Sequence, residues 1–166
     1  LDAYAITEDP RWRDHALRHA RMYREMQLPS GTWTWTNRNG GRYPDCGSYF
    51  AKKAQFPELA TGEFLHFFVR LRLELGTDDF RDVEQAAITW ERAEQLRDLR
   101  LRYHNYVQSS LAKNSTPLSA LHLCLAALAS ADAGVPLLTD DEIDLLARYI
   151  EDQFVIWRHG DGDEPP

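Results

Sequence analysis

A chain of 166 residues, 43% hydrophobic and 27% charged, is long enough for one domain with its own core. Its formal net charge of −7 excludes a general nucleic-acid binder, which needs a basic face. No apolar run is long enough to cross a bilayer, so no membrane partner is expected; no signal peptide is visible and the compartment stays open.

The first predicted helix runs Pro10–Gln27. Asp9-Pro10 opens it with an N-cap carboxylate and a proline at the first helical position. Trp12, Ala16, His19, Tyr23 and Met26 recur at helical spacing and mark a buried face, while Arg11, Arg13, Arg18, Arg21 and Arg24 occupy the rest. His15 and His19 lie four apart and project the same way. A zinc site needs at least a third protein ligand, and no HExxH context is present, so no metal site is expected.

A long stretch from Gln27 to Tyr49 follows, holding four of the nine glycines (Gly31, Gly40, Gly41, Gly47) and two of the five tryptophans. Pro29-Ser30-Gly31 and Asn39-Gly40-Gly41 are turn signals. Between them Thr32 to Thr36 alternates with period two, as a short strand or extended arm does. Two readings are open. Trp33 and Trp35 pack the loop onto the helices, or they form a flat platform for a ligand, with Asn37, Arg38, Asn39 and Arg42 supplying hydrogen bonds. Both hold if each tryptophan takes one role.

Pro57 is read as the end of a short segment, with Thr61 capping a second helix, Gly62–Leu75. Phe64, Phe67, Phe68, Leu71 and Leu75 line one face of it, and Gly76 is a suitable residue just past its end. The third helix, Asp79–Gln95, presents Phe80, Val83, Ala87 and Trp90, and the short joint predicts an antiparallel hairpin with the second. From Arg97 to Lys113 the pattern fits either an extended piece or a continued helix. The fourth helix, Pro117–Ala131, is apolar nearly all round and reads as buried. Thr139-Asp140-Asp141-Glu142 is a capping box that opens the fifth, Asp140–Phe154. The expected core includes Trp12, Phe64, Phe68, Leu71, Trp90, Leu121, Leu125, Leu128, Ile143, Leu146 and Ile150. Cys46 and Cys124 lack CxxC spacing, and a disulfide between them stays open. The fold expected is all-α: antiparallel helical hairpins in a single helical domain over residues 1–166, with one long aromatic loop. The chain opens at Leu1 without an initiator methionine, which fits a processed chain or a piece of a longer one.

The phrase Gln27-Leu-Pro-Ser-Gly31-Thr-Trp33 closing a helix, then a long loop, then Thr61-Gly62-Glu63-Phe64-Leu65 opening an apolar helix, resembles the helix-loop-helix unit of α/α-toroid carbohydrate-active enzymes. These are glycoside hydrolases and polysaccharide lyases built from helical hairpins. The resemblance spans roughly Trp12 to Trp90. A full toroid has about a dozen helices and this sequence predicts five main ones, so either the chain is part of a toroid or the resemblance is local. The resemblance implies a carbohydrate ligand, stacked on Trp33 or Trp35.

Two chemistries follow from that implication. A lyase needs a base beside a uronate carboxylate, and Tyr103 and His104 are the residue types that toroid lyases use. The plain alternative is a polar helix start with tyrosine anchors. A hydrolase needs two carboxylates, for which Asp45 and Glu63 are best placed; the plain alternative for Glu63 is service to a helix dipole. The competing class is a non-catalytic all-α binding or assembly module. No Walker motif, nucleophile elbow or zinc signature occurs, and no cofactor is expected. An exposed Leu118–Leu128 face would call for a second chain or the remainder of a longer protein.

Overall fold

The computed structural model describes residues 1–33, 57–97, 99–100 and 116–154, with backbone alone at 57–60, 116–118 and 153–154. Among the described residues six α-helices run in order: α1 Asp2–Thr7, α2 Pro10–Met26, α3 Pro57–Leu75, α4 Arg81–Glu91, α5 Thr116–Asp132 and α6 Asp140–Phe154. No strand occurs among the described residues, as the sequence leads one to expect. α3 is the central element. It packs most closely on α5, also against α4, and more loosely against α2, while α6 covers α5.

Side-chain caps set the starts of α2 and α6. The Asp9 carboxylate accepts from the Arg11 amide at 2.9 Å and starts α2. At α6 the capping box forms in full: the Glu142 amide donates to Thr139 Oγ1 at 3.3 Å, and the Thr139 amide donates to Glu142 Oε2 at 3.1 Å. Three boundaries differ from expectation. α1 is a further short helix, stopped where Glu8 takes a left-handed conformation, φ 53°. α3 starts at Pro57, so that proline opens the helix instead of ending a segment. Thr61 therefore lies inside α3 and is buried, its hydroxyl bonded to that of Thr32. Lastly, α4 ends at Glu91 and passes into a π-helical turn, Arg92–Leu96, with helix resuming at Arg97. Glu91 and Gln95 are both fully buried there.

The core joins Trp33, Leu65, Phe68, Val69 and Leu71 to Val83, Ala87, Ile88, Leu96 and Leu99, and to Ala120, Leu123, Ala126, Leu146 and Tyr149. Three expected core residues are exposed instead: Trp12 by 46%, Leu125 by 40% and Leu128 by 46%. Phe64, Trp90, Leu121, Ile143 and Ile150 are half-buried. For the two leucines the reason is the tightness of the α3–α5 seam. A Cβ on Gly62 would stand 2.3 Å from the Ser119 carbonyl oxygen, so the helices touch backbone to backbone. Only small side chains fit such a seam, and α5 turns Ser119, Ala120, Ala126, Ala127 and Ser130 inward with Leu123. Leu125 and Leu128 are rotated outward. Further along the same seam His66 and His122 meet, with their Nδ1 atoms 3.1 Å apart. Burial, then His122 and Arg70, hold the His66 pKa below its ordinary value, against the pull of Asp2 and Glu74.

Two buried carboxylates tie the helices together. Glu84 on α4 receives Arg72 Nε from α3 at 3.1 Å and Arg81 at 3.1 Å, and Arg72 continues to Ser130 on α5 at 3.1 Å. Glu142 on α6 receives Arg92 at 3.2 Å and Arg100 at 3.0 Å. Burial alone would raise the Glu142 pKa, but Arg92, the Thr139 amide and Arg100 outweigh it and hold the carboxyl below its ordinary value.

Candidate functional site

The phrase that carries the toroid resemblance builds a structural joint. Gln27 lies just past α2, and its side-chain amide donates to the Gly31 carbonyl at 2.9 Å and to Val83 O on α4 at 3.0 Å. The Leu28 amide donates to Thr32 O at 2.8 Å and closes the turn. Gly31 has φ +95°, and a Cβ there would sit 2.2 Å from the Ala86 carbonyl oxygen, so glycine is required twice over. Trp33 is wholly buried against Phe64 and Phe68, with ring centroids 4.9 and 6.0 Å away. Its indole N–H donates to Tyr23 O at 2.8 Å. That bond satisfies the one polar group of the ring and leaves no face for a ligand. Of the two readings of the loop tryptophans, Trp33 takes the packing one.

Phe64 also borders an open space. A cleft of about 450 Å³ separates α2 from the start of α3. From α2 it is lined by Trp12, His15, Ala16, His19 and Tyr23; from α3 by Glu63, Phe64 and Phe67; and from the start of the chain by Leu1. The α2 residues are spaced i, i+3, i+4, i+7 and i+11, which is one face of a helix. That face was expected to be core. It is instead the wall of a cleft, because small Ala16 and Ala20 are the residues that sink fully and larger neighbours stand around the opening. Tyr23 packs on Phe64 at 4.5 Å and edge-on to Phe67 at 5.6 Å, so the floor is a rigid aromatic cluster. Trp12 is tilted against His15 at 5.9 Å and stays open to solvent.

Hydrogen bonds fix the imidazoles. Arg18 donates to His15 Nδ1 at 3.3 Å, which puts the His15 proton on Nε2. His19 Nδ1 donates to the His15 carbonyl at 3.0 Å, which leaves His19 Nε2 as the acceptor when the ring is neutral. Both Nδ1 atoms are thus engaged. No group of three or more His, Cys, Asp or Glu side chains able to hold a metal ion occurs among the described residues.

Of the residues expected to act, Glu63 is in this cleft, half-buried at its wall. Asp45, Trp35, Asn37, Arg38, Arg42, Tyr103 and His104 lie outside the described residues, as do Cys46 and most of the aromatic loop. Cys124 carries a free thiol whose pKa burial pushes up. Among the described residues no helix is long and apolar enough to cross a membrane. Sequence reading missed Trp12, His15, His19 and Tyr23 as site residues. Their one signal was a stripe of large aromatics interleaved with imidazoles, which core-facing helices also carry. No protein-family description, curated protein or solved structure matches this chain.

Proposed function

We propose that the chain is a non-catalytic all-α ligand-binding module, built of antiparallel helical hairpins, with the α2–α3 cleft as its binding site. One observation carries this: a cleft of about 450 Å³ walled by Trp12, Tyr23, Phe64 and Phe67, with Glu63 and two imidazoles as its polar groups. Small-ligand sites have that size and that make-up, mostly apolar walls with a few fixed polar atoms. The hairpin arrangement, and with it a partial toroid, is proposed on the joints α3–α4 and α5–α6, both of which turn through a glycine at positive φ.

A carbohydrate ligand is the second reading, favoured by Trp12. An exposed indole at a cleft wall stacks on pyranose faces, and Glu63 can accept from hydroxyls. Hydrolysis is supported less well than binding, because it needs a pair of carboxylates and Glu63 is the one carboxylate lining the cleft among the described residues.

The test is tryptophan fluorescence titration of wild type and Trp12→Ala with neutral oligosaccharides, uronate oligosaccharides and small ring-bearing or alkylated ligands. The expected result is a saturable change in wild type that Trp12→Ala loses while keeping its fold by circular dichroism. If no ligand of any class changes the wild-type spectrum, the binding-module reading fails. New reducing ends or an unsaturated uronate product would replace it with the hydrolase or lyase reading.

A further inference from the structure

Helix α5 carries two rows of residues on opposite sides. Ser119, Leu123, Ala126 and Ser130 are fully buried, and Ser119 and Ser130 bond to Gly62 and Arg72 of α3. Leu121, Leu125 and Leu128 follow the same i, i+4, i+7 spacing on the reverse side, half-buried at Leu121 and exposed at the other two. Steps of four and three between leucines are those of the a and d positions of a helix that packs lengthwise on another helix. An exposed row of that form marks an interaction surface, and the shape it fits is a second helix lying alongside.

Charge narrows the choice of helix. From Asn114 to Ala131 the sequence has no lysine, arginine, aspartate or glutamate, and it is the longest such run in the chain. The positions flanking the leucine row are His122, Cys124, Ala129 and Ala131. His122 is engaged with His66. In helix pairs, charges at the flanking positions choose a partner of complementary sign. These flanks choose none, so what fits is an equally uncharged leucine row. The α5 of a second copy presents one. A two-fold contact lays each row on the other and closes with neither left bare. Each copy carries a formal −7, but charges away from the contact are screened over about 8 Å at physiological salt.

We infer that two copies of this chain associate back to back through the Leu121–Leu125–Leu128 face of α5. No residue lining the α2–α3 cleft belongs to that face, so the two surfaces are independent. The contact is a weak one. Specific, stable interfaces bury about 800 Å² per partner, and one leucine row on a helix of 17 residues supplies less. At the dilution of an unfolding measurement the chain is therefore monomeric, and Leu125 is exposed there.

The experiment is sedimentation velocity on the full chain from about 10 μM to about 1 mM, for wild type, Leu125→Glu and Leu128→Glu, at low and high salt. Wild type should pass from monomer to dimer across this range. Each glutamate should raise the midpoint concentration at least about tenfold, because the contact would strip water from a carboxylate and set it against leucine. Both variants should keep the wild-type circular dichroism at dilution, since both positions are exposed. Added salt should strengthen the association, because it screens the like charges and leaves the apolar contact. A wild type that stays monomeric throughout overturns the assignment. So does a dimer that both glutamates leave unaltered, which must lie on another surface. An association that salt dissolves is held by ion pairs and overturns it as well. Loss of the fold in Leu125→Glu at dilution does the same, because the row is then covered within the chain.

Discussion

Helix α3 shows two kinds of surface a few residues apart. Toward α5 it is sealed: Gly62 lies against the Ser119 backbone, and its amide donates to Ser119 Oγ at 3.2 Å. Toward α2 it is open, with Glu63, Phe64 and Phe67 bordering a cleft. Neighbouring residues on one helix thus belong to a seam and to a site. Side-chain size makes the difference. Glycine, serine and alanine let two backbones meet, whereas two facing rows of rings hold the helices apart and leave room between them.

The comparison is broken most severely by removing the side chain packed against Phe64 and Phe68 of α3. Trp33→Ala should cost about 3–5 kcal/mol in denaturant unfolding, the usual loss for a filled aromatic site. A loss like that of a surface change would mean that Trp33 is not the keystone its complete burial implies.

On α5 the contrast can be read within three residues. Leu123→Ala should cost about 2–5 kcal/mol, because that side chain is fully buried in the seam. Leu125→Ala should cost less than about 1 kcal/mol, since Leu125 is 40% exposed. Equal losses would show that something else covers Leu125.

Overpacking the seam comes next. Gly62→Ala should destabilise by about 1–3 kcal/mol, because its new methyl group meets Ser119 backbone that cannot swing away. A neutral change would mean that α3 and α5 slide apart freely.

Acid should act in two separate windows. His66 binds its proton less readily folded than unfolded, so stability is unaffected well above its ordinary value of 6.5 and falls as pH drops below it. Glu142 is the opposite kind of group. Its contribution is whole above the ordinary carboxylate value of 4.5 and is lost as pH falls through its lower folded value. In thermal melts across pH, His66→Gln should flatten the first decline and spare the second. A single decline that His66→Gln leaves unchanged would remove the seam histidines from the account.

The smallest stability effect belongs to the cleft wall. Trp12→Ala should change unfolding free energy by less than about 1 kcal/mol while removing the fluorescence response to ligand. A core-sized loss there would make the cleft part of the core after all.

Much of the helix plan was legible because it rests on local chemistry. Asp9-Pro10 and the Thr139–Glu142 box announce helix starts within a few residues of chain, and the structure uses both. Gly76 and Gly134 announce ends in the same way. Thr61 misled for an instructive reason. A threonine before a glycine looks like a cap, but a hydroxyl inside a helix serves equally well when another element, here Thr32, comes to meet it. Glu63, expected as one of a carboxylate pair, lines the cleft, but the four aromatic side chains that line it too were not singled out together.

What the sequence alone determined, then, is where the chain turns helical and where most helices stop, since caps, prolines and positive-φ glycines act over three or four residues. Which stripe of α5 faces inward, and whether the Trp12–Tyr23 stripe becomes core or cleft, the tertiary structure decided. Both depend on how near a second helix can come. That distance is set by pairs such as Gly62 with Ser119 and Tyr23 with Phe64, whose members lie dozens of residues apart in the chain.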